Sequence, residues 1–372
     1  MKRALMYASV ASMIQQFNMS NIKLLQELGY EVDVACNFEF GSTISNEKIE
    51  ILKKQLNEMN VHFYHVPVPR KITDFKNLKL SYKQTLKLMN ERQYQLIHCH
   101  SPIGGVVCRE ANKQSENYKN CRMIYTAHGF HFFKGNNPTK NLVFKNIEKH
   151  AAKYTDVLIT INKEDYEAAK KFKLKENGKV EYIPGVGIDI EKINSIQGNK
   201  EDLCKELDIP NDSFLLLSVG ELSKRKNHEV ILNCLPYLDK NTHYLICGQG
   251  ELKKYLEEKA KKLNIENRLH LLGYRSDIIE VMKACDVFLF PSLQEGLPVA
   301  LMEAMASGLP CVASSIRGNV DLLEKENLVR NDNEWNDKIK LSRDREKINM
   351  SVFDKKNIEK QMIKVYIGDN NE

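Results

Sequence analysis

Short apolar runs alternate with helix-length amphipathic stretches along most of the 372-residue chain. In the first half, strands are predicted at Ala4–Ala8, Glu31–Ala35, Val61–Val66, Leu96–Cys99, Met123–Thr126, Val157–Ile161 and Val180–Ile183. Helical periodicity falls between many of them, as in Phe17–Leu28, closed by Gly29, and Asp165–Phe172. The second half repeats the plan with strands at Phe214–Val219, His243–Cys247, Arg268–Leu272, Val287–Phe290 and Pro310–Ala313, and helices such as Glu251–Leu263 between them. This alternation predicts an α/β protein with parallel sheets covered by helices on both faces, and right-handed crossovers. Two Rossmann-like domains follow. The seam is set between Pro184-Gly-Val-Gly-Ile-Asp189 and Pro210, where turn residues and charges precede a strongly apolar strand. The domains are taken as residues 1–190 and 191–352. Segment 353–372 holds a last helix, Lys355–Ile367, with Ile358, Met362, Val365 and Tyr366 on one face, as a candidate to return to the N-terminal domain. The pattern is weak from Asn327 to Ser351.

At 42% hydrophobic and 28% charged, the chain can bury two sizeable cores. Its net charge, 55 − 49 = +6, is distributed unevenly. Residues 1–190 carry 28 − 19 = +9 and residues 191–372 carry 27 − 30 = −3, so the first half is expected to meet something anionic. One stripe is sharp: Lys76, Lys79, Lys83 and Lys87 share a helix face, beside apolar Phe75, Leu78, Tyr82, Leu86 and Met89. Such a helix lies on anionic lipid, or turns a lysine-rich face to solvent while the apolar stripe packs inward. Nine scattered cysteines without a C-x-x-C pair suit free thiols in a reducing cytosol. The start of the chain reads as a first strand, not a signal peptide. No run approaches the roughly 18–20 apolar residues of a membrane span, so membrane contact is expected to be peripheral, at the inner face.

The densest segment, Asp286 to Ser314, reads strand, loop, helix, strand. Glu295 falls in the loop and Glu303 in the helix. Eight steps of about 100° do not return to one helix face, so the pair is not a stacked ligand set. The two carboxylates can instead reach different parts of one extended ligand. A carboxylate accepts two hydrogen bonds and suits a vicinal diol of a sugar or ribose. From the carboxylates alone, a surface Glu and a packing-helix Glu remain the plainer account. Ser218-Val-Gly-Glu-Leu-Ser-Lys-Arg-Lys-Asn-His228 puts three cations just after a strand, where they suit a diphosphate leaving group; a solvated basic turn is the alternative. Tyr125-Thr-Ala-His128-Gly-Phe-His-Phe-Phe-Lys-Gly135 follows a strand of the first half, with His131 and Lys134 as weaker candidates beside His128. His98 and His100 point the same way on a strand, but no carboxylate cluster accompanies them and no metal is expected. Ser314-Ser-Ile-Arg-Gly-Asn-Val320 is read as a strand end opening a helix, whose N–H groups and dipole receive a phosphate.

Glu295-Gly-Leu-Pro298 together with Glu303 forms an E-x7-E element. With the two other segments, it makes the chain resemble the retaining, nucleotide-sugar-dependent glycosyltransferases of family four. The resemblance implies the GT-B fold, two Rossmann-like parallel-sheet domains with an interdomain cleft. It implies that Glu295 faces the donor sugar, that Glu303 holds the ribose, and that Arg225 and Lys226 lie on the donor phosphates. His128 then sits beside the transferred sugar. Gly220, Gly296, Leu297, Arg317, Gly318 and Asn319 line the donor, and Arg275, in Gly273-Tyr-Arg-Ser-Asp277, bounds the base. Ser9, Ser12 and Ser101, the last also a helix-cap candidate, lie on the acceptor side. Two features depart from the family: Glu221 stands where an Arg usually follows the Gly, and the loop Ser9-Val-Ala-Ser12 is not Gly-rich. The resemblance runs from the first strand to about Asn319 and fails around 327–351, which reads as a short tail lacking a helix.

The wording His-Gly-Phe-His-Phe and Ile-Asn-Lys-Glu-Asp-Tyr is similar to bacterial capsule, exopolysaccharide and O-antigen enzymes. The implied reaction moves a sugar, with retention, from a UDP-linked donor to a lipid-linked saccharide. A nucleotide-sugar epimerase and a non-catalytic nucleotide-sugar-binding subunit of the same fold are the alternatives. No G-x-G-x-x-G follows the first strand, which disfavours a dinucleotide oxidoreductase. No D-x-D occurs, which disfavours a metal-dependent GT-A enzyme, and the lysine stripe lacks a nucleic-acid reading motif.

Overall fold

Residues Ala4–Ala8 expose no surface because their strand lies at the centre of a parallel sheet with helices on both faces. The computed structural model describes residues 2–39, 44–342 and 350–368. The chain divides into two compact units, Met1–Val186 with Ile358–Glu372, and Gly187–Asn357. The first holds β1 (Lys2–Val10), β2 (Tyr30–Asn37), β3 (His62–His65), β4 (Leu96–His100), β5 (Arg122–Ala127), β6 (Val157–Thr160) and β7 (Lys179–Tyr182). They form one sheet in the order β3-β2-β1-β4-β5-β6-β7, every neighbouring pair parallel. The second unit holds β8 (Phe214–Val219), β9 (Thr242–Cys247), β10 (Leu269–Gly273), β11 (Val287–Phe290), β12 (Cys311–Ser314) and β13 (Leu328–Val329), ordered β10-β9-β8-β11-β12-β13. Each order reverses direction beside its first strand, between β1 and β4 and between β8 and β11. In such sheets ligands bind at the carboxyl ends of the strands flanking that reversal.

Several elements differ from the sequence reading. A helix already begins at Ala11, directly after β1, so Ser12 is a buried helical residue and not part of a loop. The helix breaks at Asn18, whose side chain donates to the Met13 carbonyl at 2.9 Å, and resumes as Met19–Glu27. The Ser314–Val320 segment opens no α-helix. It forms a single 3₁₀ turn, Asn319–Asp321, too short to carry a helix dipole. The weak stretch after Asn327 contains β13 and a helix, Trp335–Leu341, which packs Trp335 and Ile339 into the second core. Residues 343–349 of that stretch lie outside the described residues. Among the described residues, no helix is long and apolar enough to cross a membrane.

The final helix, Lys355–Ile367, buries Ile358, Met362, Val365 and Tyr366 in the core of the first unit. The helix Phe75–Arg92 buries Ser81, Thr85, Leu88 and Met89, while Leu78, Tyr82 and Leu86 pack against a core cluster. Lys76, Lys79, Lys83 and Lys87 face solvent, and Phe75 is 76% exposed. Most of the apolar stripe therefore serves the fold.

A buried ion pair braces the helix Pro102–Gln114 behind β5. Arg109 donates to Glu148 at 2.8 Å and to the Gly105 carbonyl at 2.9 Å, while Tyr125 donates its hydroxyl to Glu148 at 3.0 Å. The guanidinium also lies 3.8 Å from the centroid of the Tyr125 ring. Neither charged side chain reaches solvent appreciably, so removing one leaves the other uncompensated. Glu148→Ala is expected to cost about 3–5 kcal/mol in denaturant unfolding, and Arg109→Met with Glu148→Leu to recover most of that. A near-neutral Glu148→Ala would refute the brace.

Candidate active site

The loops after β8, β11 and β12 converge on Glu295. Arg225 Nη1 and Lys226 Nζ each stand 2.8 Å from the same oxygen, Glu295 Oε1. Arg225 Nη1 also donates to the Gln294 carbonyl at 3.2 Å, and the Leu293 amide donates to the Arg225 carbonyl at 2.9 Å. From the third loop, Arg317 Nε donates to the Glu295 main-chain oxygen at 3.1 Å. Lys226 is largely enclosed and lies 4.5 Å from the centroid of Phe290, at the end of β11. Burial pulls its ammonium below the usual lysine range, against the opposite pull of Glu295. The basic run therefore separates: Arg225 and Lys226 turn to Glu295, whereas Lys224 lines a cavity of about 490 Å³ with Ser223, Asn227, His228, Leu252 and Tyr255.

Glycine is required where these loops touch. A Cβ on Gly318, at φ +83°, would lie 2.3 Å from the Gly296 carbonyl oxygen. Gly248, at the end of β9, leaves no room for a side chain, because its Cβ would stand 1.8 Å from the Gly220 oxygen. The Gly220 and Leu222 amides donate to the Cys247 and Gln249 carbonyls at 3.0 and 2.9 Å, so residues 247–249 brace the 220–226 loop. The Gly-Gln-Gly after a predicted strand was the available signal for this support. His228, which closes the basic segment, donates Nε2–H to the Glu221 carbonyl at 3.3 Å. Burial keeps its ring neutral, down to about 4. Glu221 itself is exposed.

Glu303 lies on the helix Val299–Ala306 that follows β11. Burial pushes its carboxyl above the usual carboxylate range, and no described side chain pairs with it. It remains an acceptor open to a diol. Leu297 is buried beside the carboxylate loop. Asn319 is fully buried, donates Nδ2–H to the Ser314 carbonyl at 2.9 Å, and leaves Oδ1 without a partner among the described residues. Arg275 is occupied by two carboxylates, Asp277 at 2.8 and 2.6 Å and Glu206 at 2.5 Å.

In the first unit the carboxyl ends of β1, β4 and β5 gather a second group. Ser9 Oγ accepts the Gly104 amide at 3.0 Å, and Ser101 Oγ lies 3.5 Å from the Ser9 nitrogen. Ser101 precedes the helix Pro102–Gln114 but makes no side-chain cap bond, which corrects its reading as a helix cap. His128 follows β5, with Phe17 tilted against its ring at 5.6 Å. Its Nε2 stands 3.0 Å from His100 Nδ1, and burial lowers its pKa to about 4. The ring nitrogens of His98 are engaged by Tyr366 and Thr126, both at 2.8 Å, and those of His100 by His128 and Met6. His131 stacks edge-on to Phe144, and Lys134 donates its amide to Glu164 at 2.8 Å. Sequence reading missed the support of this loop. Asp165 accepts the Phe130 amide and the Asn162 side chain, both at 2.9 Å, while Asn162 caps the helix Lys163–Ala169. Among the described residues, no group of three or more His, Cys, Asp or Glu is placed to hold a metal.

Comparisons with known proteins cover both units. The family described as Glycosyltransferase Family 4 matches residues 18–192, and that described as Glycosyl transferases group 1 matches residues 199–348. The second match continues well past Asn319, which corrects the expectation that the resemblance ends there. The chain is 32% identical to an Escherichia coli protein named UDP-Gal:alpha-D-GlcNAc-diphosphoundecaprenol alpha-1,3-galactosyltransferase, over 84% of this chain and 79% of that one. It is 30% identical to EpsD of Bacillus subtilis (strain 168), over 87% of this chain and 81% of that one. Among solved structures, Anabaena HepE in complex with UDP and glucose has a TM-score of 0.72 at 17% identity, covering 98% of this chain and 99% of that one. That likeness shows a shared fold. These relatives make a non-catalytic subunit or an epimerase the less favoured account. At this identity and coverage, the chain belongs to family four of the GT-B glycosyltransferases, and it is a glycosyltransferase.

Proposed function

We propose that the chain is a retaining glycosyltransferase that moves a sugar from a UDP-linked donor to a lipid-linked saccharide, at the inner membrane face, in surface-polysaccharide assembly. The observation that carries the reading is the cluster of Arg225 and Lys226 on Glu295, with the open carboxylate of Glu303 on the next helix. Two cations at a strand end suit a departing diphosphate, whose charge grows as the glycosidic bond breaks. Glu295 orients them and faces the sugar, Glu303 accepts the ribose hydroxyls, and His128 contacts the transferred sugar. Gly220, Gly296, Leu297, Arg317, Gly318 and Asn319 line the donor, Arg275 bounds the base, and Ser9, Ser12 and Ser101 face the acceptor. The diphosphate leaves from the front face through an oxocarbenium-like state, without a metal. The donor and acceptor in the name of the Escherichia coli relative support this donor and acceptor class. Mass spectrometry of a donor-panel reaction on undecaprenyl-diphosphate-linked saccharides, with the product anomer assigned, tests it. An inverted anomer would sink the retaining reading.

The two carboxylates are expected to separate kinetically. Glu295→Ala should lower kcat by about 100-fold or more without weakening UDP binding, because it frees two cations for the diphosphate. Glu303→Ala should weaken UDP binding by about tenfold, the scale of one hydrogen bond to a charged group. Weaker UDP binding in Glu295→Ala would contradict the assignment.

Because burial raises the Glu303 carboxyl, its neutral form appears at a higher pH than for an ordinary carboxylate. Only the ionised form accepts both ribose hydroxyls. UDP affinity should therefore fall as pH drops through that raised value, and calorimetric titration over a pH series should lose this step in Glu303→Gln.

The exposed lysines of the helix Phe75–Arg92 are proposed to contact anionic lipid. Changing Lys76, Lys79, Lys83 and Lys87 to Glu should weaken co-sedimentation with anionic vesicles. Unchanged binding would remove that contact.

A further inference from the structure

Strand β4 buries two histidines, a third, half-buried, stands just past the end of β5, and their hydrogen-bond partners fix which nitrogens carry protons. His98 and His100 alternate on β4, at 0% and 1% exposure, with ring centroids 4.1 Å apart. His128 joins them from the end of β5, its ring centroid 5.3 Å from that of His100. Burial lowers all three below the usual histidine range, His98 to about 3 and His128 to about 4, so each ring is neutral near pH 7 and carries one N–H.

His100 Nε2 stands 3.2 Å from the Met6 sulfur on β1. A thioether accepts and never donates, so the proton of this contact sits on His100 Nε2. His100 Nδ1 is then a lone pair, and the 3.0 Å contact to His128 Nε2 has its proton on His128. It follows that His128 Nδ1 is unprotonated, and it has no partner among the described residues. At the other end, His98 is engaged by Tyr366 of the final helix and by Thr126, which hold its ring against His100.

We propose that His100 is a positioning residue. With Met6 it locks His128 as the Nε2–H tautomer, so that the Nδ1 lone pair accepts a hydrogen bond from a hydroxyl of the transferred sugar. The sugar contact rests on the role given to His128 above, whereas the tautomer lock does not.

The test reads the tautomer directly. In protein labelled with ¹⁵N-histidine, long-range ¹H–¹⁵N correlation reports which nitrogen of each ring is protonated, and His128→Gln assigns the His128 signals. The expected result is a protonated Nε2 and a bare Nδ1 in the parent protein. His100→Phe keeps a ring but removes the acceptor. It should mix the His128 tautomers and lower kcat about tenfold, with UDP binding unchanged. His100→Asn, whose carboxamide oxygen can stand near the lost Nδ1, should restore part of both. Met6→Leu, close in volume, should also mix the tautomers without the larger change at His100. Turnover is read with UDP-galactose and undecaprenyl-diphosphate-linked N-acetylglucosamine, the pair named for the Escherichia coli relative. An Nδ1–H tautomer in the parent overturns the lock, as does a folded His100→Phe with tautomer and kcat unchanged. Full turnover in His128→Gln beside an intact lock overturns the sugar contact alone.

Discussion

One carboxylate oxygen, Glu295 Oε1, accepts from both Arg225 and Lys226, and the second sheet's working edge is organised around it. Each cation alone would repel the other across so short a span. The shared anion makes their proximity favourable, and the partial enclosure of Lys226 and Glu295 strengthens the attraction. The main chain of the same loop completes the arrangement. Leu293 binds back to Arg225, Arg317 reaches the Glu295 carbonyl, and Gly318 lies against Gly296. Loops from β8, β11 and β12, adjacent in the sheet, are thus joined through residues 293–296. Such a cluster is preorganised by its own contacts, the condition under which fixed charges stabilise charge that develops in a reaction.

The central strands were most legible because burial on both faces turns them into apolar runs, whereas the half-exposed β3, β7 and β10 keep polar residues among the apolar ones. The twelve predicted runs overlap β1 to β12, and among the described residues only β13, two residues long, escaped. Helix starts were less legible. Ala11 follows β1 without a cap residue, and a buried Asn18 interrupts the helix through a local side-chain bond that periodicity does not register. Among site residues, sequence placed Glu295, Arg225 and Lys226 in separate segments. Their meeting at one oxygen spans about 70 positions and depends on the sheet order. The contact of Tyr366 with His98 spans 268 positions, and no local pattern could carry it.

The charge split gains a location but not a single meaning. The basic first half includes a stripe of four exposed lysines, yet the apolar residues beside it are mostly packed against a core cluster. A helix lying in lipid would keep that stripe free. An exposed cationic face above a packed helix instead attracts an anionic surface by charge, over a range set by screening. In the more acidic second half, cations matter by placement: Arg275 is surrounded by Glu206 and Asp277, whereas Arg225 and Lys226 share one carboxylate at a strand end.

Breaches of local rules gather at the same strand ends. Most non-glycine residues with positive φ are Asn or Asp, which tolerate that region, and Gln93 closes a helix in the left-handed conformation. Ser101 is different. At φ 70° and ψ 146° it occupies a region almost reserved for glycine, at a cost of about 1–3 kcal/mol. It is held there because its carbonyl accepts the Gly105 amide at 2.7 Å, while Ser9 takes the neighbouring Gly104 amide. The buried Asn319 oxygen, without a partner among the described residues, and the buried neutral rings of His98 and His100 on β4 are costs of the same kind. A core selected for stability alone would place apolar side chains at those positions. Their concentration at the carboxyl edges, where a doubly wound sheet binds its ligands, is what a site built for chemistry looks like in energetic terms.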